Sequence, residues 1–461
     1  MINQPDGPSA FEFSDEDNTV TQTKTSLNPK DTYLRWIVVA LASFLVFGND
    51  YCYDLPQALE TPIQEKYKIT EVEYNLLYSV YSLPNIVLPF VGGYILDYFG
   101  IKVGILLYNV LIISGQSLFT FGCYTDDYRL LIIGRGIFGI GAESLNVAQS
   151  MIVTTWFKGR ELSTALGISL CICRLGSSLN SFLSPLFYEE FKRLGIVSAI
   201  GLIFVVISLC CGLGLIHMDG KYLKGENYEA SEKIEIKDIK SLKVNFWLLY
   251  FNAILCFMSF FPFLNIANTY MQRRFNLAST LAGGLLAIPY SVAGLLTPIL
   301  SNIIDRKGKK ATLLILTCFI LSYNHFSLAA LPNHDGSLAI IMPLVVFGVF
   351  FALYTSLLIP CISVIADEKV VGTAMGIIYS GQNTGLAIGP LIVGSILSDS
   401  NQIIGQYNDM SIVLGVCSFL AACAAIISWW IDKQYHGGIL QKSMKELEHS
   451  ERKYEIEIAN F

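Results

Sequence analysis

The chain contains little charge for its size. Only 15% of its 461 residues are Asp, Glu, Lys or Arg, whereas soluble proteins average about 25%. Hydrophobic residues make up 53% of the sequence, which is more apolar surface than a soluble core of this length can bury. These proportions exclude a cytosolic enzyme, a nucleic-acid-binding protein and a disordered scaffold. They predict a chain that crosses a lipid bilayer many times.

Patterns that indicate metal sites, disulfide frameworks or catalytic centres are also missing. The 11 cysteines lie almost entirely within apolar stretches, and no CxxC pair is followed by a second one. The polar segments contain no set of nucleophile and base of the kind that enzymes use. We therefore expect no metal, no cofactor and no enzymatic activity. Residues 1–33 are polar and are predicted to form a disordered tail rather than a cleaved leader.

Long apolar runs dominate the rest of the chain. Because a membrane-spanning helix needs about 20 mostly apolar residues, twelve spans are predicted. They cover residues 34–56, 73–97, 102–123, 128–154, 161–188, 195–217, 244–270, 278–304, 311–331, 338–365, 371–398 and 408–432. The polar linker 218–243 separates an N-terminal bundle, 34–217, from a C-terminal bundle, 244–433. Six lysines in this linker place it, with the tails 1–33 and 434–461, in the cytosol by the positive-inside rule.

The two predicted bundles repeat a motif, G-x-x-x-D-x-x-G-x-[RK], in which a serine replaces the first glycine of the second copy. The motif residues are Gly93, Asp97, Gly100 and Lys102 after the second span, and Asp305, Arg306 and Gly308 after the eighth. The offset of 208 between the aspartates predicts two similar units related by a pseudo-twofold axis along the membrane normal. This motif is the signature of the major facilitator superfamily, which the chain resembles over 34–433. The resemblance implies an all-α membrane fold of two six-helix bundles, with the motif residues in gating or structural roles.

Charged side chains at membrane depth are costly, and they usually face a cavity or a partner. Glu143 in the fourth span and Arg174 in the fifth both fall near the bilayer midplane, counting about 1.5 Å of rise per residue. They have two interpretations. They are either a structural ion pair or a receptor in which Glu143 holds an ammonium group and Arg174 a carboxylate. Arg135, about 12 Å from Glu143 along the helix axis, is expected to have a structural or gating role.

Further polar residues are candidates for substrate contact. Tyr78 and Tyr81 share one face of the second span, where they could donate to a peptide carbonyl or simply pack. Asn383 matches the midplane arginine at an offset of 209 in the second half, and its amide suits hydrogen bonding to a peptide backbone. Asp50 and Asp54, near the predicted outer end of the first span, could attract cationic groups or cap the helix.

Several segments resemble, more specifically, the family of major facilitator superfamily domain-containing protein 1. They are residues 51–56, 76–85, 134–145, 156–162, 174–177 and 382–388. The resemblance implies export of dipeptides from lysosomes by uniport, with Glu143 holding the amino terminus and Arg174 the carboxylate. It also implies a glycosylated accessory subunit with a single span. That family has a tryptophan before the proline of the tenth span, where this chain has Ile359, so the wall of the side-chain pocket is expected to differ.

The resemblance, together with the two midplane charges, therefore implies alternating-access uniport of dipeptides across a lipid bilayer. The alternatives are transport of single amino acids or organic anions, with or without proton coupling, and a non-transporting sensor or scaffold. The first span lacks the E-x-x-E-R pattern of proton-coupled oligopeptide transporters, which favours facilitated diffusion. A lysosomal or related vacuolar location rests on the resemblance alone, and the plasma membrane is the alternative.

Overall fold

Helices account for nearly all of the chain that the computed structural model describes, and no strand occurs in those residues. The described residues are 32–88, 96, 98–157, 162–222, 242–332, 338–366, 371–398, 403–443 and 446. Most of both predicted tails and of the linker lies outside these ranges, as do Gly93 and Asp97.

The N-terminal half contains eight helices and the C-terminal half six among the described residues. The first eight are α1 (Leu34–Tyr53), α2 (Leu55–Ala58), α3 (Glu60–Tyr67), α4 (Glu71–Ser82), α5 (Ile101–Thr125), α6 (Tyr128–Phe157), α7 (Leu162–Phe191) and α8 (Leu194–Tyr222). The other six are α9 (Val244–Phe275), α10 (Ser279–Lys307), α11 (Lys310–Ala329), α12 (Ile341–Ile365), α13 (Val371–Ile396) and α14 (Ile403–Tyr435). Short 3-10 helices lie at Pro84–Ile86 and Ile439–Gln441.

Ten of these helices are long and apolar enough to cross a membrane: α1, α5 to α12, and α14. The other two predicted spans fall on α4 with the residues that follow it and on α13, a helix of 26 residues. The predicted class, an all-α membrane fold of two six-helix bundles, is confirmed.

The start of the chain departs from the predicted first span. α1 ends at Tyr53, and Pro56 lies in the first turn of α2, where its missing N–H group is tolerated. Helix then resumes as α3 and continues to Tyr67, eleven residues beyond the predicted end at residue 56. Hydropathy did not predict α3 because that helix is polar. A capping box between Thr70 and Glu73 then starts α4.

Equivalent positions in the two halves have equivalent backbone environments. A Cβ atom on Gly176 of α7 would collide with the carbonyl oxygen of Phe47 on α1, and one on Gly385 of α13 would collide with that of Ile254 on α9. The offset of 209 between these glycines therefore marks the same close helix crossing in each half. The similarity confirms that the sequence repeat is also a structural repeat.

The two halves meet through α4 with α13, α7 with α10, and α2 and α3 with α9. The turns after α3 and α9 lie at the end of the bundle opposite to the start of α1, and we call this the distal end. Several hydrogen bonds between the halves lie there. Thr61 and Thr269 share one between hydroxyls 3.1 Å apart, and the Tyr74 hydroxyl donates to the Asn265 carbonyl at 3.0 Å. The described residues thus close the molecule at its distal end.

The repeated motif lies at the opposite, proximal end. Gly100 and Gly308 have φ angles of +81° and +68°, a region that favours glycine, so both are needed for the turn. Lys102 pairs with Asp219 of its own half at 3.5 Å, and Arg306 is exposed at the end of α10. Because Asp97 and the side chain of Asp305 lie outside the described residues, the gating role of the motif stays a prediction.

Candidate functional site

Four charged side chains of the N-terminal half surround a common region near the middle of the bundle. Arg174 on α7 interacts electrostatically with Asp50 and Asp54 at the end of α1 and with Glu143 on α6. Asp50, Glu143 and Arg174 are only partly buried, whereas Asp54 is 2% exposed. Three carboxylates therefore share one partly accessible guanidinium. The structure brings together the two midplane charges predicted from the sequence and adds two further acids.

Asp50 and Asp54 lie deeper than the sequence suggested. The prediction placed them at the outer mouth, because the first span was expected to end at residue 56. In the structure the Tyr290 hydroxyl of α10 donates to Asp54 Oδ1 at 3.3 Å, and Gln57 Nε2 donates to the same hydroxyl at 3.0 Å. Asp54 is thus buried in a hydrogen-bonded contact between the halves. It occupies the cap position between α1 and α2, but its side chain makes no capping hydrogen bond.

Glu143 is hydrogen-bonded within its own half and faces the other. The Tyr81 hydroxyl donates to Glu143 Oε1 at 3.2 Å. Tyr379, which is 40% exposed on α13 of the C-terminal half, lies within electrostatic range of the same carboxylate. Tyr379 was not among the predicted residues, although it precedes the predicted Asn383 by one helical turn. Glu143 therefore lies where groups from both halves converge.

Arg174 extends from the N-terminal half into the C-terminal half. The carbon of its guanidinium lies 4.2 Å from the ring centroid of Phe351 on α12. A Cβ on Gly294 of α10 would lie 3.3 Å from the Arg174 Cβ, so the lack of a side chain there makes room for the arginine. Although Glu143 and Arg174 are both described, no ion pair within 4.0 Å joins them. The guanidinium has one face covered by an aromatic ring, and no hydrogen bond to its N–H groups is made by the described residues.

Arg135 occupies a closed aromatic cage. It is 1% exposed, and its Nη1 and Nε groups donate to the carbonyls of Cys52 at 3.2 Å and Leu77 at 3.4 Å. The rings around its guanidinium, at 5.2 to 5.7 Å, are Tyr53, Tyr78, Tyr81 and Phe138. Such an environment leaves no room for a substrate and suits the expected structural role. Tyr78 is 1% exposed and packs against this arginine. This environment matches the alternative in which Tyr78 packs and does not contact substrate.

Asn383 is buried on α13 with half of its amide unused. Its Nδ2 donates to the Tyr379 carbonyl at 3.0 Å, whereas Oδ1 has no hydrogen-bond partner among the described residues. A buried acceptor without a partner costs about 1–3 kcal/mol. The position predicted from the repeat therefore holds a buried acceptor that no described residue satisfies.

Known proteins with similar sequences are membrane transporters. A family model described as Major Facilitator Superfamily matches residues 39–390. The lysosomal dipeptide transporter MFSD1 of Homo sapiens is 29% identical over 427 residues, which cover 90% of each chain. The protein of the same name from Danio rerio is 29% identical over 442 residues, covering 92% of this chain and 94% of its own.

Solved structures show the same fold at lower sequence identity. The crystal structure of PepTSo2 has a TM-score of 0.65 and 14% identity, and the match covers 87% of this chain and 99% of that one. A structure described in terms of substrate recognition in proton-dependent oligopeptide transporters has a TM-score of 0.63 with 14% identity, and covers 86% and 99% of the two chains. At this identity the likeness concerns the arrangement of helices.

Proposed function

This chain belongs to the Major Facilitator Superfamily, and from that premise we propose that it is a dipeptide uniporter. It moves dipeptides from a lysosome-like compartment to the cytosol by alternating access. The substrate class is supported by the relatives named as lysosomal dipeptide transporters. The direction, the uniport mechanism and the binding residues are part of the proposal.

The observation that carries the proposal is the arrangement of Glu143 and Arg174. Each charge is partly accessible, they interact electrostatically, and they are not in ion-pair contact. A structural ion pair would bring a carboxylate and a guanidinium into direct contact, because unpaired charges at membrane depth are costly. A gap between opposite charges instead suits a zwitterion, whose ammonium group binds Glu143 and whose carboxylate binds the free N–H groups of Arg174. An extended dipeptide spans about 7 Å, whereas the charges of a single amino acid lie closer together.

The neutral groups of the C-terminal half would recognise the rest of the substrate. Asn383 Oδ1 is a buried acceptor without a partner, and the peptide N–H of a dipeptide is a donor that would satisfy it. Tyr379 lies on the same face one turn earlier and has an exposed ring that can cover a substrate side chain. Tyr81 would orient the Glu143 carboxylate through its hydrogen bond.

The closed distal end defines one state of the transport cycle. We propose that the bundles 34–217 and 244–433 rock about the central site, so that the distal and proximal ends open in turn. The linker 218–243 and the tails 1–33 and 434–461 would face the cytosol, as the lysine-rich linker favours, and the distal end would face the lumen. A glycosylated subunit with a single span is the expected partner on that side.

The direct test is uptake of a labelled dipeptide by proteoliposomes that contain the purified protein, with and without an imposed pH gradient. We expect uptake driven by the dipeptide concentration alone, which is blocked by unlabelled dipeptides and unaffected by free amino acids. Liposomes without protein provide the background.

Each other outcome points to a specific alternative. Accumulation that follows the pH gradient would contradict uniport and indicate proton coupling. Uptake that free amino acids block as well as dipeptides do would indicate a carrier of single amino acids. No flux of any of these solutes would favour a sensor or scaffold.

A further inference from the structure

Two carboxylates share one arginine at the distal end, in the contact between the halves. Arg273 of α9 pairs with Glu71 of α4, with Nη1 and Oε1 2.6 Å apart. Its Nη2 donates to Gln64 Oε1 of α3 at 2.9 Å. Gln64 Nε2 donates in turn to Glu71 Oε2 at 2.8 Å and to Glu60 Oε1 at 3.5 Å. We call these four residues the distal cluster, and they tie the two halves together.

Glu60 is the most deeply buried member of this cluster. It lies on α3, beyond the apolar span that ends at Tyr53, and its side chain is 1% exposed. Its Oε2 is buried and has no hydrogen-bond partner among the described residues. Arg273, by contrast, is exposed and covers the cluster from outside. Glu60 thus has a buried carboxylate oxygen that no described residue satisfies, and binding a proton would remove the charge from this carboxylate.

The charges around Glu60 do not balance. The groups that face it are Glu71 and Tyr74 from α4, Arg273 and the Thr269 hydroxyl from α9, and Tyr407 from α14. On α3 itself, Glu65 is exposed, and Lys66 is paired with Asp126 at 2.6 Å and is therefore engaged elsewhere. With both acids ionised and both tyrosines neutral, the cluster would hold two negative charges against one positive charge. Burial, reinforced by the neighbouring Glu71 carboxylate, raises the pKa of Glu60 well above its ordinary value.

We propose that Glu60 is a proton-binding site that latches the distal end. With Glu60 protonated, the cluster contains one balanced pair, Glu71 with Arg273, and the halves stay together. When Glu60 ionises, its charge is stabilised by water, which reaches it only after α3 and α4 separate from α9. The inference rests on the proposed transport cycle in one respect only, that the distal end opens.

The direction of the pH effect follows from proton linkage. Glu60 binds a proton more tightly when the distal end is closed than when it is open and hydrated, so acid favours the closed state. Raising the pH through the closed-state pKa favours opening. Because this proton enters and leaves on the distal side, it is not carried across the membrane. The latch would therefore make transport depend on pH without coupling it to a proton gradient.

The test measures distal opening directly and needs no substrate. Hydrogen–deuterium exchange of the full-length protein in lipid nanodiscs is compared at about pH 5 and about pH 7.5, after correction for the intrinsic exchange rate. We expect the segments around 58–74 and 265–275 to be more protected at the lower pH. The protection factors at the two pH values should differ by about tenfold for each unit by which the pKa of Glu60 in the closed state exceeds its pKa in the open state. Glu60→Gln should stay protected at both pH values.

Matched variants separate the latch from a general effect on stability. Glu65→Gln, on the same helix but exposed, should keep the pH difference of the wild type, and Glu60→Asp should keep it because it can still titrate. Glu71→Gln should lower protection at both pH values, because it removes the pair with Arg273. Equal protection of the wild type at both pH values would overturn the proposal, as would a full pH difference in Glu60→Gln. Neither result would bear on whether dipeptides are transported, which the uptake assay decides separately.

Discussion

The two halves of this protein repeat the same fold but contribute different chemistry to its centre. The N-terminal half supplies Asp50, Asp54, Glu143 and Arg174, whereas the residues of the C-terminal half that interact with them are neutral: Tyr290, Phe351 and Tyr379. Moving a buried charge between environments is costly because its solvation changes. In the proposed cycle the charged half holds the substrate ends and the neutral half moves over them, which would avoid that cost. The difference suggests that one half recognises the substrate and the other completes and closes the site.

Removing the cation of the charged half should have the largest effect. Arg174→Ala is expected to lower dipeptide uptake by about 100-fold or more. The bound carboxylate of the substrate would lose its charged partner, and loss of one partner of a buried charge pair costs about 2–5 kcal/mol. Uptake by proteoliposomes at equal protein content checks this. Arg193→Ala, an exposed arginine just after α7, is the control and should transport normally. Unchanged flux in Arg174→Ala would remove the central role assigned to the charged half.

Removing the anion should have the next largest effect, and it should depend on the substrate amine. Glu143→Gln is expected to lower uptake by about 10-fold or more, because a charge-assisted hydrogen bond contributes about 1.5–3 kcal/mol. Competition by an N-acetylated dipeptide, which lacks the ammonium group, should be weak and equal in wild type and variant. If Glu143→Gln weakened binding of the unmodified dipeptide and of the N-acetylated dipeptide to the same extent, the carboxylate would not be the amine-binding group.

The neutral half should contribute through position rather than charge. Phe351→Leu removes the ring that covers Arg174 and should raise the KM for dipeptides about 3-fold to 10-fold, as expected for a cation–π contact of about 0.6–1.4 kcal/mol. The maximal rate should change little, and Phe351→Tyr should restore the KM. Phe319→Leu, on the exposed face of α11, is the matched control. A lower maximal rate at constant KM would indicate a role in closure instead.

The smallest effect is expected at Asn383. Asn383→Ala should raise the KM about threefold, because a single neutral hydrogen bond contributes about 0.5–1.5 kcal/mol. The exposed Ser395 of the same helix, changed to Ala, should leave the KM unaltered. An effect of Asn383→Ala as large as that of Arg174→Ala would contradict the division of labour between the halves.

The sequence predicts the parts of this architecture that have a strong physical signature. Apolar runs indicate the spans, and the glycines at offset 209 indicate where helices cross, because both features are written directly in residue type. Glu143 and Arg174 stand out because a charge in an apolar run needs a reason. α3 was missed because a polar helix that packs between two halves resembles an ordinary loop. Hydropathy therefore placed Asp54 near the outer mouth, although the helices α2 and α3 follow the first span there.

Neutral site residues carry no comparable signal. Phe351, Tyr379 and Tyr290 are aromatic residues in membrane helices, and their residue type does not distinguish a position facing lipid from one facing another helix. Only the packing of α10 and α13 against the N-terminal half, and the contact of Phe351 on α12 with Arg174, reveal them. The distal cluster was missed for a related reason, since Glu60 and Arg273 are 213 residues apart and nothing in the sequence links them.

The contact between Thr61 and Thr269 makes the distal seam comparable to the interface of a symmetric dimer. These residues are 208 positions apart, the offset of the repeated motif, so each threonine meets its own counterpart across the pseudo-twofold axis. Self-complementary contacts of this kind are the rule where two identical subunits pair. Either hydroxyl can donate to the other, so the bond has no fixed polarity. Within this single chain, the seam therefore has the local geometry of a homodimer interface, although the two halves differ in charge.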